Sequence, residues 1–407
     1  MHMTTGEVIR RVRKSLGMTQ AELGAILGYT QPVISQLEHD SAAVHDVRVL
    51  RRVAKALRVP LAILVVESDE EADVNRRNFL RASTLGAGTA MTAAAIQQAE
   101  GATGTIRVGA GDVAEINATV NQVHELDLVV GGDRLCRLAA GYVHYVQQLL
   151  DTASYSEDTG RQLTSAAAEM MTAAGWVHYD AGRQEKARRY YADAAQAASA
   201  ADDGFAAAHA LGNASGYMVN RVWGRDSSAS DQMGVQYAQA ASRAALPKGG
   251  PKLRALMALR EAEAQGARGD KTEMAKAISR AYRAYESARG HDPDWVYLPE
   301  AEISGIIGKA HMWFGDYPAA VTHLGRAAEH SAVWPRERAS WQLHQAHNLV
   351  HSGEVGQACA LLTENFAAIS DRDSARLQQR LGVLADTVRP HARVPEVREF
   401  LGLVASR

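Results

Sequence analysis

Thr19-Gln-Ala-Glu-Leu-Gly-Ala-Ile-Leu-Gly-Tyr-Thr-Gln-Pro-Val-Ile-Ser-Gln-Leu-Glu38 decides the fold of the amino-terminal end of the chain. It reads as two short helices joined by a glycine turn. Thr19 stands at a helix cap with Glu22 three residues on, the spacing at which the two satisfy each other's backbone N–H groups. Leu23, Ile26 and Leu27 recur at i, i+3 and i+4 and place a core stripe on the first helix. Gly28 follows, the residue type that ends helices in a left-handed conformation. Thr30 caps the second helix, Pro32 fits its first turn, and Ile34 and Leu37 face inward. Gln31, Val33, Ser35 and Gln36 are left outside. Their amides and hydroxyl suit the reading of base edges in a major groove.

Working outward, Gly6 to Ser15 reads as a preceding helix, with Val8, Ile9 and Val12 inward and Arg10, Arg11 and Lys14 open to phosphate. Val47, Leu50, Val53, Ala54 and Leu57 give a later helix of 3.6 period. Val59-Pro60 stops it, and Leu61 to Val66 closes the domain. Residues 1–66 carry nine Lys/Arg against five Asp/Glu, about +4, and an acidic run of Glu67, Asp69, Glu70, Glu71 and Asp73 follows. The whole chain sums to −2. A basic end on a near-neutral body fits local contact with nucleic acid.

Gly17-Met-Thr-Gln-Ala-Glu-Leu23 together with Ile34-Ser-Gln-Leu-Glu38 resembles the helix-turn-helix of the xenobiotic-response-element and Cro-repressor family, over roughly Thr5 to Leu64. The resemblance implies a five-helix DNA-binding domain over 1–66. In it Gln20 holds a phosphate at a helix N-terminus, Gln31, Val33, Ser35 and Gln36 face bases, and Arg13 and Glu38 form a buried ion pair. Thr30, Arg10 and Arg48 belong with the DNA-contacting set. The loop His39-Asp-Ser-Ala-Ala43 lacks the basic residues that such relatives often place against phosphate, so pairing of two copies matters for affinity.

At 407 residues the chain has room for two to three domains. Richness in Ala with few β-branched runs points to an all-α protein. Two cysteines far apart, Cys136 and Cys359, imply no disulfide framework and suit a reducing cytoplasm. No run of eighteen apolar residues occurs, so no transmembrane helix and no membrane partner is expected. Residues 67–111 read as a linker. Within it Asn75-Arg-Arg-Asn-Phe-Leu-Arg81 resembles a twin-arginine export motif. Behind a folded domain it reads instead as a basic hinge leading into an alanine-rich linker helix. Gly101 to Gly111 reads as flexible.

Residues 112–407 read as helix after helix. Glycines 182, 224, 269, 315 and 353 recur at intervals of 42, 45, 46 and 38, each at a turn between helices. That period marks a repeat array. Gly315-Asp-Tyr-Pro-Ala-Ala-Val321 and Gly182 to Ala198 resemble tetratricopeptide repeats, which implies an α-solenoid of helix pairs with a concave groove. Asp373–Val388 and Val394–Val404, with Pro390 between them, read as its cap.

Nothing in the sequence argues for an enzyme or a cofactor. His344, His347 and His351 share a helix face but lack Cys or carboxylate companions at ligand spacing, so a polar inner face is the expected reading rather than a metal site. Polar residues on the repeat helices suit ligand capture better: Asn213, Tyr217 and Asn220 on one helix, Lys309 with Glu302, and His344 with Asn348. The order, a helix-turn-helix followed by a repeat array, resembles the RRNPP family of peptide-pheromone regulators and the large helix-turn-helix regulators of actinobacteria. That resemblance implies a cytoplasmic homodimer on an imperfect palindrome of double-stranded DNA, with a quorum-sensing peptide or other effector in the repeat groove. The alternative is a repeat domain that docks a partner or antagonist protein and takes no small effector.

Overall fold

In the computed structural model the described residues are 3–39, 46–64, 106–221, 223, 228–246, 249–287, 292–293, 296, 298–332, 334–370 and 374–406. The acidic run, the twin-arginine-like stretch, Gly224 and residues 40–43 lie outside them. The described chain is built from α-helices, and it divides into two compact units, Met1–Val177 and His178–Arg407.

The first unit opens with α1 (Thr5–Ser15), α2 (Gln20–Leu27), α3 (Gln31–Glu38), α4 (Val47–Leu57) and α5 (Leu61–Leu64). Capping boxes start two of them: Thr4 with Glu7, and Thr19 with Glu22 as the sequence predicts. Gly28 ends α2 at φ 71°, the left-handed turn that a side chain would strain. Val8, Ile9, Leu23, Ile34, Leu37, Val53, Leu57 and Ile63 fill the core.

Two apolar positions face water against expectation: Ile26 is 56% exposed and Val47 46%. The buried line of α2 runs Leu23, Gly24, Leu27 instead. A Cβ on Gly24 would stand 2.6 Å from the Tyr29 carbonyl oxygen, so the backbone of the turn occupies that face and rolls Ile26 outward. Thr30 occupies the cap position of α3 with extended backbone, but its side chain makes no cap hydrogen bond, which corrects the predicted side-chain cap.

Behind these helices lie α6 (Ala110–Asp127), α7 (Gly132–Thr152) and most of α8 (Glu157–Asp180). The stretch expected to be flexible up to Gly111 is tied down at its end. The Val108 N–H donates to the Ser154 carbonyl at 3.0 Å, the Ser154 N–H donates to that of Ile106 at 2.7 Å, and α6 begins at Ala110. Arg134 of α7 is buried and donates to Thr5 Oγ1 (3.2 Å), the Ile63 carbonyl (3.1 Å) and the Met3 carbonyl (3.0 Å). One guanidinium thereby answers a carbonyl of α5 and one ahead of α1, and docks the five-helix head on α7.

The second unit continues with α9 (Gln184–Ala200), α10 (Gly204–Asn220), α11 (Ser228–Ala245), α12 (Pro251–Ala267), α13 (Lys271–Tyr285), α14 (Glu300–Phe314), α15 (Tyr317–His330), α16 (Pro335–His351), α17 (Val355–Glu364) and α18 (Phe366–Ile369). Helix α19 (Ala375–Val388), a 3-10 turn holding Pro390 and α20 (Pro395–Ala405) close it, as the cap reading predicts. Gly182, Gly269, Gly315 and Gly353 all adopt positive φ at the turns between paired helices. Successive helices pack as antiparallel neighbours, burying stripes of Ala and Leu such as Ala320, Leu324 and Ala327.

Asp180 then joins segments far apart in sequence. It is 1% exposed and accepts from Arg336, from Arg376 Nε (3.0 Å) and from Ser374 Oγ (2.8 Å). Burial alone would raise its pKa; the two arginines and the serine hydroxyl overcome that and hold the carboxyl below the usual range. Replacing Asp180 by Ala removes the carboxylate that both guanidiniums share, and the second unit should lose about 3–5 kcal/mol. Denaturant unfolding of the full chain checks this, and a loss under about 1 kcal/mol would contradict it.

Candidate nucleic-acid interface

The polar face of α3 is built as the sequence predicts, with Gln31 and Gln36 exposed and Val33 and Ser35 half-buried. What holds it is a chain of charge-assisted hydrogen bonds. Glu38 at the end of α3 is 4% exposed. It accepts a bidentate pair from Arg13, Nε to Oε1 at 2.5 Å and the second guanidinium nitrogen to Oε2 at 3.0 Å, which is the expected ion pair. Arg13 also donates to the Met18 carbonyl at 2.6 Å, fastening the turn before α2. Burial pushes the Glu38 carboxyl up, but the hydrogen bonds from Arg13 and Gln20 outweigh it and leave the pKa lowered.

Gln20, first residue of α2, donates its amide to Glu38 Oε2 at 2.8 Å, and Gln31 donates to Gln20 Oε1 at 2.6 Å. This fixes which way the Gln31 amide points. Its Oε1 and its second N–H stay open, an acceptor and a donor side by side. The sequence reading gives Gln20 a phosphate; the structure adds this second task. Thr30 is exposed at the start of α3, Arg10 is exposed on α1, and Arg48 is exposed in the first turn of α4, its backbone N–H on Asp46 at 2.8 Å.

Two neighbours escape sequence reasoning. His39 is exposed, and its Nδ1 lies 2.6 Å from the Ser35 carbonyl; a carbonyl only accepts, so that nitrogen carries the proton. Arg52 of α4 donates to the Leu27 carbonyl and to Tyr29 Oη (3.1 Å), its guanidinium 5.0 Å from the tyrosine ring centre. It caps α2 from outside. A basic residue 25 positions from its target leaves no local signal.

Residues 9–64 match the helix-turn-helix family model. The amino-terminal head is a DNA-binding helix-turn-helix domain. No curated protein matches the chain. Among solved structures, the chain is similar to Bacillus thuringiensis PlcR in complex with the peptide PapR7 and DNA. The identity is 12% and the TM-score 0.35, with 94% of this chain and 98% of that one covered. No helix among the described residues is long and apolar enough to cross a membrane.

The predicted ligand residues lie in the second unit, and most are turned inward. Tyr217, Asn220, Lys309, His344 and Asn348 are all buried; Asn213 and Glu302 are half-buried. Asn213, Asn220 and Asn348 each donate to the carbonyl four residues back on their own helix, at 3.1, 2.8 and 2.7 Å. Tyr217 donates to the Gln184 carbonyl at 3.2 Å. Lys309 pairs with Glu263 at 2.8 Å, and Glu302 stands 3.8 Å from Arg260. Glu263 is fully buried and can anchor an ammonium that the half-exposed Glu302 cannot desolvate as completely. His344, His347 and His351 pack against aromatic rings, His344 edge-on to Trp223 and His351 stacked on Tyr317. His347 lies 4.7 Å from Trp223 and 4.4 Å from His351, which in turn lies 5.1 Å from Tyr317.

In the helix-turn-helix domain, Arg13→Met strands the Glu38 carboxylate in the core. It should cost about 3–5 kcal/mol, and the double variant Arg13→Met with Glu38→Met distinctly less. Unfolding curves of the two variants decide it; equal losses would contradict the pairing. In the second unit, burial holds His344 well below 6.5 and His347 at about 3, with like-charged neighbours adding to the effect. The unfolded chain binds protons below about pH 6.5 where the folded rings do not, so stability falls as pH drops from there toward 3. The slope is up to about 1.4 kcal/mol per pH unit for each ring. His347→Gln should flatten a melting-temperature profile over that window, and an unchanged slope would contradict it.

Proposed function

We propose that the protein is a sequence-specific transcription regulator that acts as a homodimer. Two helix-turn-helix domains take the half-sites of an imperfect palindrome about one helical turn apart. The observation that carries this reading is the exposed face of α3 with Gln31 held by Gln20, a short amide-bearing surface oriented before any DNA arrives. Pre-orientation matters because a glutamine amide presents donor and acceptor together, and adenine offers the complementary pair in the major groove. Arg10 and Arg48 contact phosphate beside it and set affinity without reading sequence.

The second unit holds the effector, and the effector changes DNA binding by favouring one arrangement of the paired heads over another. This requires that it bind the two arrangements with different affinity. The buried polar interior formed by α10, α12, α14, α16 and α19 supports that role.

Selecting DNA from a random pool with the full chain should yield inverted copies of one short motif. Gln31→Ala and Gln36→Ala should each relax one base position, a loss of about 1–3 kcal/mol of discrimination. Arg10→Ala and Arg48→Ala should weaken all sequences alike and lower the salt slope by about one each. A pool that shows no enriched motif would end this reading.

A further inference from the structure

The covalent path from the helix-turn-helix head to the rest of the chain is residues 65–105, and the described structure resumes at Ile106. A head held by that much free chain alone would range over roughly 35 Å. This head is held elsewhere. Arg134 of α7 is 9% exposed and reaches both ends of the head at once. One terminal nitrogen donates to the Met3 carbonyl at 3.0 Å and the other to the Ile63 carbonyl at 3.1 Å, while both lie 3.2 Å from Thr5 Oγ1. Thr5 Oγ1 gives its own proton to the Leu64 carbonyl at 2.9 Å, so its lone pairs are left to the guanidinium.

A second attachment comes from α6. Gln122 donates its amide to the Arg58 carbonyl at 3.0 Å. Arg58 ends α4 at φ 55°, a left-handed backbone that a side chain makes costly. Burial agrees with these ties. Leu61, Ala62, Ile63 and Leu64, the whole of α5, are all 7% exposed or less. A short helix on the outside of a domain keeps one side in water, but α5 has none left, because α7 packs on it. Met3 is buried too, although a segment leading into a first helix ordinarily frays.

A single hydrogen bond would leave a pivot. Attachments ahead of α1, at α5 and in the turn between α4 and α5 leave none. The exposed polar face of α3 belongs to the same frame, since Arg13 of α1 and Gln20 of α2 both hold Glu38. We infer that Arg134 is a positioning residue for operator recognition. Without touching DNA, it clamps the head to α7 and so fixes the separation and angle at which a paired chain presents its two copies of α3. Sequence choice belongs to α3; the choice of half-site spacing belongs to the clamp. This rests on the reading of the chain as a homodimer on a palindrome. One base pair of added spacing moves a half-site by about 3.4 Å and turns it by about a tenth of a helical turn. A clamped head meets that change with a lost contact, and a head on free chain does not.

The test uses the full chain and duplex probes that carry one half-site, or two inverted half-sites at a series of spacings, with the motif taken from random-pool selection. Wild type should bind its best spacing at least about tenfold more tightly than spacings one or two base pairs away. Arg134→Met, unbranched and without donors, should bind the single half-site within about twofold of wild type. It should lose affinity at the best spacing and vary by under about threefold across the series. Arg134→Lys, whose ammonium cannot span both carbonyls, and Gln122→Ala, which removes the second attachment, should fall between. A chain lengthened by about ten Gly/Ser residues after Ala90 should keep the wild-type profile, because the clamp sets it. The inference is overturned if Arg134→Met keeps a sharp profile, if the lengthened chain loses it, or if Arg134→Met weakens single and paired sites alike, which would be a role in folding only. Should Arg134→Met not fold, intermediate profiles in the other two variants support the inference and wild-type profiles in both overturn it. A wild type that takes every spacing equally overturns the clamp and leaves the homodimer standing. A wild type that gains nothing from a second half-site ends the homodimer reading, and the spacing assignment falls with it.

Discussion

A carboxylate removed from water is stable only when every lone pair it exposes finds a donor, and Glu38 is such a carboxylate. It closes α3 and lies 4% exposed in the middle of the head. Arg13 satisfies it from α1, Gln20 satisfies it from α2, and Gln20 in turn holds Gln31. The residue that makes the head cohere is therefore also the one that orients the exposed polar face of α3. The net energy of such a pair against an apolar core is small, so its value lies in specifying one geometry and not in stability as such.

The second unit uses the same device at longer range. Asp180 is a buried anion answered by two arginines from helices far along the chain, and Glu263 is one answered by Lys309 of α14 and by Arg260 one turn earlier on its own helix. Hydrophobic stripes of Ala and Leu stack the helix pairs but would tolerate sliding. Buried ion pairs do not, because a shift of one turn strands a charge.

Local patterns made much of this legible in the sequence. The Thr19–Glu22 cap, the Gly28 turn and the polar face of α3 each depend on residues within four positions, and each stands as read. So do the recurring glycine turns at 182, 269, 315 and 353. Periodicity misplaced Ile26, because a short helix packed through a glycine turns its apolar face by a fraction of a turn, and it misplaced Val47, which stands exposed as the first residue of α4. Long-range partners were out of reach. Nothing near Lys309 points to Glu263, nothing near Arg134 points to Thr5, and nothing near Asp180 points to Arg336, 156 residues on. The polar residues of the repeat helices were legible as a set, but their direction, inward instead of across an open groove, was decided by how the helices close.

The link from Glu38 through Gln20 to Gln31 is the claim on which the reading head depends, and it is open to one direct measurement. DNA selected from a random pool by Gln20→Ala should keep its motif except at the base position governed by Gln31, where preference should relax. A motif preserved at every position, with affinity lower for all sequences alike, would mean that Gln20 acts only on phosphate and that the chain of hydrogen bonds does not aim the recognition helix.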